Sequence, residues 1–163
     1  MKYLFILTLL SSFSAMAQDC TLKKEKDTYT KEMKISTGFI PLEGAMVSIQ
    51  ANKTEIDFLF SINNDNKCFD DASAAAVFFE NSKYKNNYKN NGTMNCQGLF
   101  HFIFRNSNST PTALQNLASK KITSIKFKDG SGKETEISLT AEQQQTFMTM
   151  AGCMIKEAKT LLP

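Results

Sequence analysis

Alternating apolar and polar positions run through the first half of the chain. They predict three consecutive strands, over about residues 34–42, 45–51 and 54–62. Every second side chain of a strand faces the same side of a sheet, so each of these segments can bury one face. Asn52-Lys53 separates the second strand from the third and fits a tight hairpin turn. Residues 19–32 have no apolar period and are predicted to form an extended, partly exposed lead-in.

The middle of the chain predicts two more strands, over about residues 74–79 and 98–105. The last of these is apolar at both parities. One face would carry Phe100, Phe102 and Phe104, and the other Leu99, His101 and Ile103. Such a pattern is typical of a central strand that is covered on both faces.

Helical spacing appears only in the last third. Ser109-Thr110-Pro111 predicts the start of a helix over about 110–119, with a hydroxyl cap and a proline in the first turn. Thr140 and Gln143 form a capping-box pattern before a second helix over about 140–159. Between the helices, alternation on both sides of Asp129-Gly130-Ser131-Gly132 predicts a hairpin.

Together these elements predict an α+β protein. We expect one antiparallel β-sheet of about seven strands, with two helices packed on one face. Residues 18–163 have an ordinary length for one domain, and no repeat or linker divides them. The order of the strands in the sheet is left open by the sequence.

Residues 1–17 have the three parts of a secretory signal peptide. Lys2 provides a positive start, residues 4–10 an apolar core, and Ala15-Met16-Ala17 a small-x-small cleavage site. We therefore predict a secreted or periplasmic protein whose mature chain begins near Gln18. No later stretch approaches the roughly 18 apolar residues that a transmembrane helix needs, so membrane insertion of the mature chain is not expected.

Four cysteines follow the leader: Cys20, Cys68, Cys96 and Cys153. An even number in an oxidising compartment favours two disulfides. Zinc binding is disfavoured because no two cysteines have a C-x-x-C spacing and the one histidine, His101, lies apart from them. Of the three pairings, we favour Cys68 with Cys96, which bracket one strand-rich segment, and Cys20 with Cys153, near the two mature ends.

Charge excludes some partners. Removing Lys2 leaves a net charge near +2, too little to indicate nucleic acid or an anionic membrane as the partner. Arg105 is the only arginine, although bidentate recognition of phosphate or guanine depends on arginine. No glycine-rich phosphate loop, G-x-S-x-G or H-E-x-x-H motif is present, so no cofactor or resident metal is expected.

Candidate catalytic groups are few. His101 lies in a phenylalanine-rich strand, where we expect a buried imidazole hydrogen-bonded to backbone or to a carboxylate; a general base or ligand is the alternative. A two-carboxylate hydrolase needs a pair of acids, for which the chain offers Asp57, Asp65, Asp70 and Asp71. The last three lie in turn-like sequence, where aspartate serves as a cap. The asparagine-rich run at 63–66 lacks the spaced ligands of a calcium loop.

One segment has the character of a recognition surface. It carries Tyr84, Tyr88, Lys85 and Lys89 among asparagines. Aromatic faces beside amides could bind a glycan or a partner protein. The same composition also suits an exposed hairpin without a ligand.

The chain resembles small secreted proteins of Bacteroidetes that have no assigned activity. The resemblance rests on the short leader ending in Ala-Gln, Asp19-Cys20, and Asp27-Thr28-Tyr29-Thr30-Lys31 before a strand. A second part of it is Asn95-Cys96-Gln97-Gly98-Leu99-Phe100, followed by a leucine-bearing helix and a strand. It implies a periplasmic or surface protein and supplies no catalytic residues.

We therefore expect an exported, disulfide-linked, non-enzymatic domain that binds a protein, glycan or other small-molecule ligand. The alternative is a small secreted hydrolase that uses carboxylates, with His101 as an accessory.

Overall fold

The computed structural model describes residues 20–63 and 67–163. The predicted leader, residues 1–17, and Asp65 lie outside the described residues. The strands are β1 (Lys23–Lys26), β2 (Met33–Leu42), β3 (Ala45–Ala51), β4 (Glu55–Ile62), β5 (Ala74–Phe79), β6 (Lys85–Lys89), β7 (Leu99–Arg105), β8 (Ile122–Lys128) and β9 (Glu134–Ser138). The helices are α1 (Thr112–Ser119) and α2 (Ala141–Lys159).

The chain is α+β, as predicted, but its strands form two antiparallel sheets. One has five strands in the order β1, β2, β3, β4, β7, and the other has four in the order β6, β5, β8, β9. The prediction of a single sheet of about seven strands was therefore wrong. Alternation along a strand reports which residues face a core, but it carries no information about which distant strand lies alongside. Here β5 pairs with β8, more than forty residues further on.

The position of β7 in its sheet also could not be predicted from the alternation of its side chains. It pairs with β4 at one edge of the five-stranded sheet, so the prediction of a central strand was wrong. The predicted parity is correct. Phe100 and Phe102 face the core, whereas Leu99, His101 and Ile103 lie half-exposed on the opposite face.

The two sheets and α2 enclose one aromatic core. Phe60 of β4 lies at its centre, with ring centroids 4.9 Å from Phe102 of β7, 5.4 Å from Phe127 of β8 and 6.3 Å from Phe147 of α2. These four rings come from both sheets and a helix, and all are almost completely buried. Burial of large aromatic side chains is the main favourable contribution to folding here.

The helices lie where the sequence predicted them, with small differences at their starts. Helix α2 begins after Thr140, whose hydroxyl accepts from the Gln143 backbone N–H while the Gln143 side chain accepts from the Thr140 N–H, which confirms the capping box. Helix α1 begins at Thr112, with Pro111 at the N-cap and no side-chain cap, so the expected hydroxyl cap is absent from this helix. Helix α2 contacts β2, β3 and β4 and packs against α1.

Both predicted disulfides are present. Cys20 is bonded to Cys153, which fixes the start of the described chain to α2. Cys68 is bonded to Cys96 beside an isolated antiparallel bridge between Phe69 and Asn95. None of these cysteines is free. Disulfides of this kind are typical of proteins in oxidising compartments.

Candidate functional site

The five-stranded sheet keeps one face open. We call the face turned away from the aromatic core the outer face of the sheet. Two adjoining depressions on it, of about 120 and 320 Å³, share Lys34 and Gln50 and together form what we call the sheet groove. Side chains lining the groove include Lys23, Glu25, Lys34, Ser36, Phe39, Ser48, Gln50, Asn52, Glu55 and Asp57. Hydroxyl, amide, aromatic and oppositely charged groups therefore lie side by side along it.

A β-bulge in β2 gives the groove its aromatic side chain. The register between β2 and β3 shifts by one residue between Ser36 and Phe39, where Gly38 has a φ of +70°. The Thr37 hydroxyl accepts from the Ile49 N–H at 3.0 Å and so fills the gap in the ladder. The extra residue reverses the alternation, because Ile35 faces the core before the bulge and Ile40 after it.

Phe39 consequently lies on the outer face, with 60% of its surface exposed. The alternation in the sequence did not indicate that this ring is exposed. The signal was Gly38, because a glycine inside a strand pattern often marks a bulge. Bulges are common beside functional sites, where they redirect a side chain.

The turn before β2 orders one end of the groove. The Asp27 carboxylate accepts hydrogen bonds from the backbone N–H groups of Thr30 and Tyr29 and lies 3.4 Å from the Lys34 ammonium. These hydrogen bonds, chiefly that from Thr30, lower the pKa of Asp27 from 3.8 to about 2. A lowered pKa in the folded state means that this stabilisation is complete above about pH 4 and is lost as the pH falls toward 2.

His101 lies next to the groove and contacts one of its acids. Its Nδ1 is 2.8 Å from Asp57 Oδ2. A carboxylate can only accept, so Nδ1 carries the proton. The other carboxylate oxygen, Oδ1, is buried and has no hydrogen-bond partner within residues 20–63 and 67–163. The predicted bond between the imidazole and a carboxylate is thus present, but the imidazole is half-buried and not buried as predicted, because β7 lies at a sheet edge with its outer face partly open.

Within the described residues, no nucleophile is hydrogen-bonded to this pair. In the register of β4 and β7, His101 lies opposite Leu59, with Asp57 on one diagonal and Ser61 on the other. The twist of the sheet brings one diagonal neighbour closer than the other, and the 2.8 Å contact shows that Asp57 is the neighbour that reaches His101. Within the described residues, the ring of His101 has no hydrogen-bond partner other than Asp57. A complete triad for nucleophilic catalysis is therefore not assembled in this part of the chain.

The segment after β6 covers the imidazole. Asn90 Oδ1 accepts from the His101 backbone N–H at 3.0 Å, and the Asn91 N–H donates to the His101 carbonyl at 3.1 Å. A Cβ at Gly92 would collide with Cδ2 of the His101 ring. His101 thus connects β4, β7 and the segment around Gly92.

We expect Gly92→Ala to lower the free energy of unfolding by about 1–3 kcal/mol, because the new methyl group must displace a ring held by Asp57. Denaturant unfolding measures the cost in the native background and in His101→Ala, which removes the ring. The cost should fall by at least about 1 kcal/mol in the second background. An equal cost in both would show that Gly92 is constrained by something other than the imidazole.

The other predicted carboxylates have structural partners or lie at the surface. Asp70 Oδ1 accepts from the Ser73 hydroxyl at 2.7 Å and from the Ala72 N–H at 3.1 Å, as expected for a turn aspartate. Asp71 is exposed. Residues 64–66 of the asparagine-rich run are outside the described residues. Within the described ranges, no group of three or more histidine, cysteine, aspartate or glutamate side chains is arranged to hold a metal ion.

The predicted recognition patch is divided between two faces. Tyr84 is 83% exposed, and Lys85 and Lys89 are also at the surface. Tyr88 is buried, where its ring stacks on Phe102 at 4.6 Å and its hydroxyl donates to the Ala113 carbonyl at 3.0 Å. Burial raises the pKa of Tyr88. Tyr88 therefore belongs to the core, because alternation in β6 places it opposite to Lys89.

Neither described helix combines the length and apolar character needed to cross a bilayer. No protein-family model matches the chain, and no curated protein or solved structure is significantly similar to it. The resemblance to small secreted proteins of Bacteroidetes stays a prediction.

Proposed function

We propose that this chain is an exported, disulfide-linked binding domain without catalytic activity, and that its ligand lies in the sheet groove. The observation that carries the proposal is the exposed Phe39 ring beside a row of polar side chains. A large apolar surface next to convergent polar groups is the usual composition of a binding site. The two disulfides support export because such bonds persist in oxidising compartments.

The charges of the groove favour an uncharged ligand. Lys23 and Lys34 provide two positive groups, and Glu25, Glu55 and Asp57 provide three negative ones. Opposite charges so close to each other give no single-sign field to attract an ion. The side-chain amides of Gln50 and Asn52, which are at least partly exposed, can exchange hydrogen bonds with a ligand rich in hydroxyl groups. A neutral oligosaccharide has this chemistry, and its apolar ring face can pack on Phe39.

The test is a thermal-shift screen of the wild-type protein against neutral cello-, xylo-, manno- and chito-oligosaccharides. A ligand that binds only the folded protein raises its melting temperature. For a sugar that does so, we expect Phe39→Ala to weaken binding by at least about tenfold in calorimetry.

Tyr84→Ala is the matched control, because it removes another exposed aromatic ring from outside the groove. It should leave the affinity within about twofold. The proposed site is wrong if Phe39→Ala binds as well as the wild type, and the proposed ligand class is wrong if no sugar of the panel stabilises the protein.

One observation favours the hydrolase as a second candidate. Glu55 and Asp57 both line the groove, and Asp57 holds His101. A sugar that binds would then be cleaved, and shorter products would appear on prolonged incubation with the wild type but not with Asp57→Asn. His101→Gln should slow this cleavage if the imidazole assists. If the sugar stays intact after incubation, the hydrolase candidate is wrong and binding without cleavage is the function.

A further inference from the structure

The four-stranded sheet also has an outer face, and its composition differs from that of the sheet groove. Strand β5, one of its two middle strands, presents Ala74, Ala76 and Phe78 there, all partly exposed. Strand β6 on one side presents Lys85, Asn87 and Lys89, and strand β8 on the other presents Lys126 and Lys128. The two alanines, with longer side chains on both sides, form the floor of a shallow channel that ends at Phe78, and we call this channel the lysine trough.

The strand register fixes the arrangement of these groups. Ala74 lies between Lys89 and Lys128, and Ala76 lies between Asn87 and Lys126. Neighbouring strands are about 4.8 Å apart, so the Cα atoms of Lys89 and Lys128 are separated by about 10 Å across Ala74. The two rows follow each other at about 6.7 Å along β5. Both walls of the trough therefore carry ammonium groups along its length.

Most of this positive charge is not neutralised nearby. Lys126 contacts Glu134 and Glu136 of β9, at 3.8 and 3.6 Å. Across the part of the chain that the structure describes, Lys85, Lys89 and Lys128 form no ion pair. The acidic strand β9 borders the trough beyond β8, where Glu134 lies opposite Lys128 and Glu136 opposite Lys126, so the positive field is strongest over β5 and β6.

We propose that the lysine trough binds an acidic polysaccharide whose carboxylates contact Lys89 and Lys128 while its sugar rings lie over Ala74 and Ala76. Ammonium groups bind carboxylates as point charges and do not need the fixed fork of arginine. Asn87 can exchange hydrogen bonds with hydroxyl groups between two carboxylates. The groups that line the trough are side chains on the sheet face, and not the backbone groups of the edge strands β6 and β9, through which an extended peptide would usually bind. This site is independent of the sheet groove.

The experiment measures binding of polygalacturonate by calorimetry at low and at moderate salt, with neutral dextran and poly-glutamate as comparison polymers. We expect the wild type to bind polygalacturonate, more weakly as salt increases, and not to bind dextran. The double variant Lys89→Gln with Lys128→Gln should bind at least tenfold more weakly. Lys26→Gln with Lys156→Gln removes the same charge from exposed positions outside the trough and should change binding by less than about twofold.

A second variant tests the shape of the trough without changing its charge. Ala76→Phe fills the floor between the walls and should also weaken polygalacturonate binding by at least fivefold, with an unchanged melting temperature as evidence of folding. Phe39→Ala should have no effect. The proposal is overturned if both lysine pairs matter equally, if poly-glutamate binds more tightly than polygalacturonate, or if the wild type binds no acidic polysaccharide.

Discussion

Replacing Cys20 and Cys153 together by alanine should lower the free energy of unfolding by about 5 kcal/mol. The bond closes a loop of 133 residues, and a cross-link over a longer loop removes more conformational entropy from the unfolded chain. It also holds the lead-in next to α2, where Lys24 and Glu157 form an ion pair at 2.9 Å. Denaturant unfolding of the oxidised proteins measures the loss.

The matched control is the other disulfide. Cys68 and Cys96 are 28 residues apart, so their joint replacement by alanine should cost about 3.5 kcal/mol, less than the first pair. A larger loss for this shorter loop would contradict the argument from loop length. It would show that the bridge between Phe69 and Asn95, which lies beside this bond, contributes more than chain entropy does.

Phe60→Ala should lower the free energy of unfolding by about 3–5 kcal/mol. The ring is completely buried and contacts aromatic rings from β7, β8 and α2, so its removal leaves a cavity that no single element can close. The loss is measured by denaturant unfolding and by the shift in melting temperature.

Phe39→Ala provides the comparison, because it removes the same side chain from a position that is 60% exposed. We expect its free energy of unfolding to stay within about 0.5 kcal/mol of the wild type. A loss below about 1 kcal/mol for Phe60→Ala would mean that the core repacks around the missing ring.

Some features of this fold could be predicted from the sequence and others could not. Alternation predicted most strands and the faces of β7 correctly, because burial of every second residue is a local property. The capping box of α2 was also visible, since it depends on Thr140 and Gln143 alone. The division into two sheets was not, because it depends on which strands pair over long separations.

The candidate sites show a similar division. The recognition patch was predicted from composition. It grouped Tyr88 with Lys85 and Lys89, although alternation along β6 places Tyr88 on the opposite face. Lys126 and Lys128 join Lys85 and Lys89 only through the pairing of β5 with both β6 and β8. Phe39 reaches the outer face through one extra residue at a bulge, which shifts the parity of the whole strand.

The loop closed by Cys68 and Cys96 lies inside the loop closed by Cys20 and Cys153. This arrangement restricts the order in which the two native disulfides can form. A chain delivered N-terminus first exposes Cys68 and Cys96 long before α2 is available, so this inner bond can close early. The native partner of Cys20 is Cys153, the last cysteine of the chain to be delivered. Until then, the thiol of Cys20 can react with Cys68 or Cys96 instead. The second native disulfide therefore forms only after α2 has packed against the rest of the protein. A chain truncated before α2 leaves Cys20 without its native partner.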